Sequence, residues 1–207
     1  MENRSLRSAL LASAALLSVA ASPVLAHPGH ELQSLDAGGA DMFFAGLLHP
    51  LTGFDHLLAM LAVGLWAALT HKDLKQALWT PASFLALLLV GALLGIAGLR
   101  LPAVEPVITA SLLVMGLLVA SRASMPRWAA SALVGFFAVF HGLAHGAELP
   151  QAESAFAFIA GFMLTTLCLH LTGLGLGFAL KHRNVLLTRL AGAGIAGYGL
   201  ALLATSF

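Results

Sequence analysis

The stretch LLHPLTGFDHLLAML, residues 47–61, is an apolar run that contains three ionisable side chains, His49, Asp55 and His56. Its apolar residues favour a helix in a hydrophobic environment. If the run crosses a bilayer, each ionisable group costs free energy unless it is paired, binds a metal ion or reaches water. The stretch therefore predicts a membrane-embedded helix whose polar side chains have a function.

The composition of the whole chain also indicates a membrane protein. Of its 207 residues, 59% are hydrophobic and only 9% are charged, which is too apolar for an ordinary soluble domain. The formal net charge of +1 and the lack of a basic cluster argue against nucleic acid as a partner. The sequence contains no GxxxxGK[ST] loop for ATP hydrolysis. A single cysteine, Cys168, excludes an intramolecular disulfide and a thiolate metal cluster.

The N-terminal residues have the features of a secretory signal. Arg4 and Arg7 precede a short apolar core, and the small residues Val24 and Ala26 precede His27. This pattern predicts a signal peptide over residues 1–26 that is cleaved before His27, with an uncleaved first membrane anchor as the alternative.

The remainder, residues 27–207, is predicted to be one all-α domain, a polytopic membrane helix bundle. Six apolar segments are each close to the roughly 20 residues that cross a bilayer. Because halves of three spans run in opposite directions, a 3+3 inverted repeat is a further hypothesis. The predicted spans are about 42–69, 76–98, 104–121, 128–147, 153–180 and 186–206.

The distribution of basic residues predicts the orientation. With residue 27 outside, the outer connections contain Arg100 alone, whereas the inner connections contain seven lysines and arginines, as cytoplasmic loops tend to. We therefore expect a multi-pass protein of the bacterial inner (cytoplasmic) membrane with both mature termini in the periplasm. The seven inner residues are Lys72, Lys75, Arg122, Arg127, Lys181, Arg183 and Arg189.

The first histidine motif lies in the first predicted span. His49 and His56 are two helical turns apart and share a face, and Asp55 lies about 100° away around the axis. Pro50 removes a backbone donor and Gly53 weakens the same turn. A bend or local opening near His49 is therefore expected, and it would bring Asp55 and both imidazoles toward one centre.

A second motif, FHGLAHGAE, occupies residues 140–148 at the outer end of the fourth predicted span. Its side chains His141, His145 and Glu148 project along one stripe of a helix. A lone histidine in an apolar helix is more often a packing residue, but four histidines and two carboxylates in two spans favour a metal site. These ligand types suit nickel, cobalt, zinc or ferrous iron without choosing among them. His170, in the fifth span, is a further candidate metal ligand, toward which a cation could move from the two motifs.

At these motifs the sequence resembles the HupE/UreJ family of membrane proteins, which is associated with nickel or cobalt supply to hydrogenase and urease. HPLTGFDH (49–56) and FHGLAHGAE (140–148) are the principal similarities, and HPGHE (27–31) and HLTGLGLG (170–177) extend the resemblance over nearly the whole chain. The resemblance implies a permease for Ni²⁺ or Co²⁺ without enzymatic activity or a permanently bound cofactor. Its partners would be the ion, the lipid bilayer and cytoplasmic nickel chaperones. The residues that the resemblance assigns to the metal are His49, Asp55, His56, His141 and Glu148, with His145 in the same motif.

The predicted mature N-terminus offers another metal-binding group. After cleavage, His27 would have a free α-amine and an imidazole, and His30 lies nearby. We predict an external site there that captures scarce metal; the alternative is a polar, disordered terminus.

Other functions remain open at the level of sequence. An accessory membrane protein or chaperone could bind nickel without transporting it. A metal-dependent membrane enzyme and a bis-histidine haem protein are further alternatives. The sequence leaves open the choice between nickel and cobalt, a channel-like or proton-coupled mechanism, the oligomeric state and the metalloenzyme supplied.

Overall fold

The computed structural model describes residues 38–149, 153–182 and 185–205, and in these ranges it contains helices and no strands. The predicted all-α class is confirmed. The predicted signal peptide, His27 and His30 lie outside the described residues. The helices are α1 (Gly39–Thr52), α2 (Phe54–Thr70), α3 (Leu74–Ala77), α4 (Trp79–Ile96), α5 (Val104–Ser121), α6 (Arg127–Glu148), α7 (Glu153–Leu180) and α8 (Val185–Thr205).

Most of these helices are long and apolar enough to cross a membrane. Five candidate spans are formed by α3 with α4, and by α5, α6, α7 and α8. A sixth is present if α1 and α2, which meet at an angle of 80°, are counted as one broken span. The chain is therefore a multi-pass membrane protein, as predicted.

The break between α1 and α2 is at Gly53. This residue has extended backbone angles (φ −93°, ψ 114°) and separates two helices of 14 and 17 residues. Pro50 remains inside α1, close to its C-terminal end. The predicted bend is thus present, but it lies four residues after His49, at the glycine.

The helices pack as pairs: α4 packs on α6, α5 on α8, and both α1 and α2 on α7. Glycines allow several backbones to approach closely, which is the usual means of packing helices in a bilayer. A Cβ atom added to Gly64 of α2 would collide with the backbone of His170 and Leu174 in α7. At Gly142 of α6 it would collide with the backbone of Leu88 in α4. At these glycines the backbones of the paired helices are therefore in direct contact.

The helix pairing satisfies one requirement of the predicted inverted repeat. With α1 and α2 counted as the first span, the packed pairs are first with fifth, second with fourth, and third with sixth. A 3+3 repeat relates the first span to the fourth, the second to the fifth and the third to the sixth. Under this exchange the first two pairs change places and the third pair is unchanged. The inverted repeat itself stays a prediction.

The C-terminal end of α2 is tied to neighbouring connections by hydrogen bonds from side chains to backbone. Trp66, whose side chain is fully buried, donates from Nε1 to the Ala123 carbonyl oxygen at 2.8 Å. Arg122 donates to the Lys181 carbonyl at 2.9 Å, and Lys181 donates to the His71 carbonyl. Burial and the nearby Arg122 guanidinium lower the pKa of Lys181. These contacts fix the ends of α2, α5 and α7 relative to one another.

Candidate metal site

Three histidines from separate helices converge inside the bundle: His49 of α1, His56 of α2 and His145 of α6. One nitrogen from each lies within 4.8 Å of the other two. The ring centroids of His49 and His145 are 4.5 Å apart, and those of His56 and His145 are 4.9 Å apart. His56 and His145 are buried and His49 is half-buried. The three side chains, hereafter the histidine triad, form a group that can hold one metal ion.

The break at Gly53 makes the close approach of His49 and His56 possible. In an uninterrupted helix, His49 and His56 would be separated by about 10.5 Å along the axis. Because α1 and α2 diverge by 80°, the two ring centroids are only 5.8 Å apart. The triad therefore depends on a local backbone feature of the first motif and on the packing of α6 against it.

Asp55 contacts the triad through His56. Its Oδ1 atom lies 3.2 Å from His56 Nδ1, and His56 Nε2 lies 2.9 Å from His145 Nε2. An ionised carboxylate only accepts hydrogen bonds, so His56 donates from Nδ1 and presents the lone pair of Nε2. In the hydrogen bond between the two imidazoles, His145 is then the donor. A carboxylate behind an imidazole is the usual support of a metal-binding histidine.

Two phenylalanines of α7 close one side of the triad. The Phe162 ring centroid lies 4.8 Å from that of His145 and 5.8 Å from that of His49. The Phe158 ring lies 5.7 Å from His49 and stacks on Phe162. Such apolar surroundings limit access of water and strengthen electrostatic interactions inside the site.

His141 lies next to the triad but is turned toward another helix. Its ring centroid is 5.2 Å from that of His56. Its Nε2 atom is 3.1 Å from the hydroxyl oxygen of Ser111 in α5, and this hydroxyl donates to the Ile108 carbonyl at 2.6 Å. The structure therefore does not group His141 with the three converging nitrogens.

The remaining predicted ligands in the described ranges, Glu148 and His170, are not among the three converging side chains. Glu148 is the last residue of α6 and is exposed. His170 of α7 is fully buried, and its Nδ1 atom lies 2.8 Å from the Met60 carbonyl oxygen of α2. The structure thus gathers three of the sequence-predicted residues, with Asp55 in contact with one of them.

Comparison with known proteins identifies the family of the chain. The family model described as "HupE / UreJ protein" matches residues 15–202. The chain belongs to the HupE/UreJ family. It is similar to "Protein HupE" of Rhizobium leguminosarum bv. viciae, with 41% identity over 166 residues, which are 79% of this chain and 85% of the relative. No solved structure matches the chain significantly.

Several residues around the site of this HupE/UreJ protein could not be recognised from sequence. Ser111 lies in an apolar helix and gives no local signal that its hydroxyl meets His141. Phe158 and Phe162 belong to a span with many apolar residues, and nothing in its periodicity distinguishes them. Each of these contacts arises from helix pairing, which sequence patterns do not predict.

Proposed function

We propose that this HupE/UreJ protein is a permease that imports a divalent transition-metal ion, Ni²⁺ or Co²⁺, from the periplasm to the cytoplasm for the maturation of hydrogenase or urease. The observation that carries the proposal is the convergence of His49, His56 and His145 in a bundle of membrane-spanning helices. Polar side chains in such a bundle are costly, and they commonly mark the path of a substrate or ion. Neutral imidazoles are ligands that nickel and cobalt accept.

The spacing within the triad is compatible with binding of one divalent ion. With metal–nitrogen bonds of about 2.1 Å, two ligands at 90° are about 3.0 Å apart, and two at a tetrahedral angle are about 3.4 Å apart. The observed distance between His56 Nε2 and His145 Nε2 is 2.9 Å. Because 2.9 Å is also the length of the hydrogen bond between the two rings, it places both nitrogens within reach of one ion of either geometry.

Ion binding at the triad would require the proton between two of its imidazoles to move. In the hydrogen bond between the two rings, one proton occupies the space between His56 Nε2 and His145 Nε2. An ion that takes a lone pair from each ring requires this proton to move from Nε2 to Nδ1 of His145, so binding is coupled to a change of tautomer without net proton release. Asp55 remains on His56 Nδ1 and supplies a negative charge beside the ion.

The direction of transport follows from the predicted orientation. The end of α6 that carries Glu148 would face the periplasm, where the exposed carboxylate attracts cations. The ion would then exchange part of its hydration shell for imidazoles and leave toward the inner side, where cytoplasmic nickel chaperones receive it.

Uptake into liposomes tests the proposal. Purified protein in sealed vesicles should accumulate labelled Ni²⁺ in a saturable manner, with Co²⁺ competing more strongly than Zn²⁺ or Fe²⁺. His56→Ala and His145→Ala should each abolish saturable uptake. His182→Ala is the matched control, because it removes an exposed imidazole at the other end of the bundle.

Two results would contradict the proposal. Normal uptake by both triad variants would remove the triad from the pathway. Binding of Ni²⁺ by the wild-type protein without any uptake would identify an accessory metal-binding protein instead.

A further inference from the structure

Two buried imidazoles outside the triad, His141 and His170, each have one nitrogen fixed by a hydrogen bond. For His170 the bond is to the Met60 carbonyl, which can only accept, so Nδ1 has the proton. The lone pair of His170 is therefore on Nε2. A carbonyl that fixes the tautomer in this way is a common support of metal-binding histidines.

The tautomer of His141 follows from a chain of two hydrogen bonds. The single hydroxyl proton of Ser111 is donated to the Ile108 carbonyl. Ser111 therefore accepts in its contact with His141, and Nε2 of His141 is the donor. The lone pair of His141 is on Nδ1.

Both lone pairs, and a hydroxyl on the same helix as His170, lack a hydrogen-bond partner among the residues that the structure describes. The atoms are His141 Nδ1, His170 Nε2 and Thr166 Oγ1, and all three are buried. Thr166 precedes His170 by four residues on α7, so the two side chains share a face. Buried polar atoms without partners are rare and call for a ligand or water.

The ring of Phe84, from α4, contacts both imidazoles. Its centroid lies 5.0 Å from that of His170 and 6.0 Å from that of His141. Both imidazoles therefore border the same region of the bundle, beside the Phe84 ring. His141, His170 and Phe84 are all at most 2% exposed, so this place is shielded from lipid and bulk water.

This place adjoins the triad. Met60, which fixes His170, follows His56 by four residues on α2, a distance of about 6 Å along the helix. His141 precedes His145 by one turn on α6, and its ring lies 5.2 Å from that of His56. The next imidazoles beyond the triad are therefore His141, one turn away on α6, and His170, which is bonded to the residue one turn away on α2.

We propose that His170 Nε2 and Thr166 Oγ1 form a second binding station for a divalent transition-metal ion, and that His141 Nδ1 is the ligand shared during transfer from the triad. The direction of transfer rests on the proposed function, whereas binding at the station does not. Phe84 lies against both imidazoles and restricts exchange with solvent between the two positions.

Binding of Co²⁺ to a chain without the triad tests the station. The background is the full chain with His27→Ala, His30→Ala, His49→Ala and His145→Ala, which removes the triad and the predicted N-terminal site; it is purified in nanodiscs and titrated with Co²⁺ while its visible absorption is recorded. One Co²⁺ per chain should still bind. Adding His170→Gln should raise the Kd at least about tenfold, the lower range for loss of even a supporting group at a metal site.

Thr166→Val keeps the side-chain shape, so it tests the same ligand set with little risk to folding, and it should also raise the Kd. The matched control is Thr172→Val, which removes an exposed hydroxyl bonded to the Cys168 carbonyl on the same helix. It should leave the Kd unchanged. The proposal is overturned if the background binds no Co²⁺, or if His170→Gln and Thr166→Val bind it as the background does.

Transport by His170→Gln in the otherwise wild-type chain separates the station from the proposed function. We expect the Kd of the triad for Co²⁺ to stay unchanged while flux into liposomes falls at least about tenfold, again by the lower range for metal sites. If the wild-type chain transports no ion but His170→Gln removes binding in the triad-free background, the permease proposal fails and the station stands. Full flux with His170→Gln would overturn the station as part of the pathway.

Discussion

The contact between Asp55 and His56 provides a quantitative test of the histidine triad. Asp55→Asn preserves the size of the side chain and removes its negative charge. The asparagine oxygen can still accept from His56 Nδ1, so the orientation of the ring is largely kept. The substitution therefore isolates the contribution of the charge to metal binding.

The geometry of this contact sets the expected magnitude. Loss of a supporting group behind a metal-binding histidine usually weakens affinity about 10- to 100-fold. The distance from Asp55 Oδ1 to His56 Nδ1 is 3.2 Å, longer than the roughly 2.7–2.9 Å of a strong charge-assisted bond. The Asp55 side chain is also 19% exposed. We therefore expect the lower end of the range, about tenfold in Kd for Ni²⁺, or about 1.4 kcal/mol.

The assay is equilibrium titration of the full chain in nanodiscs with Ni²⁺, together with the initial rate of uptake into liposomes at low Ni²⁺. Asp41→Asn is the matched control. Asp41 is an exposed carboxylate in the first turn of α1, and its replacement changes the net charge by the same amount. Uptake by Asp55→Asn should recover at high Ni²⁺, whereas His56→Ala, which removes a ligand, should not recover. Equal Kd values for Asp55→Asn and Asp41→Asn would refute the role assigned to Asp55.

Three further predictions concern packing and protons. Gly64→Ala should lower the unfolding free energy in detergent by about 1–3 kcal/mol, because its Cβ would collide with the His170 backbone; Gly194→Ala, with open space around it, should not. Ser111→Ala should lower the unfolding free energy in detergent by about 1 kcal/mol, through loss of the hydrogen bond to His141. An unchanged midpoint of thermal unfolding would exclude that bond. Lowering the pH should weaken Ni²⁺ binding in the acidic range where the triad imidazoles become protonated, by up to about tenfold per pH unit for each imidazole, because an imidazolium cannot bind the ion; a Kd that stays constant throughout this range would exclude imidazole ligands.

The helical, membrane-spanning character of the chain could be predicted because it is encoded locally. Apolar runs of about 20 residues leave few alternatives to a transmembrane helix. The bend in the first span was also predictable, since Pro50 and Gly53 both weaken the helix there. The exact position of the bend at Gly53 was not predictable, because Pro50 lies so near the end of α1 that the helix continues through it.

The candidate site was predicted only in part because its contacts join distant helices. The motifs identified His49, Asp55 and His56 as one group and His141, His145 and Glu148 as another, and the structure brings His49, His56 and His145 together. They also suggested that His141 would point with His145, since the two share a helix face. The structure separates them because Ser111 of α5 binds the His141 ring, and no pattern within either helix reports that encounter.

The break at Gly53 also has a mechanical consequence. His49 and His56 lie on opposite arms of the bend, so an ion held by both imidazoles would cross-link the arms. Occupancy and bend angle are then reciprocally linked: the ion resists straightening of the arms, and straightening lowers the affinity for the ion. A distance probe with one label on each arm would report this coupling as a narrower distribution of distances when Ni²⁺ is bound.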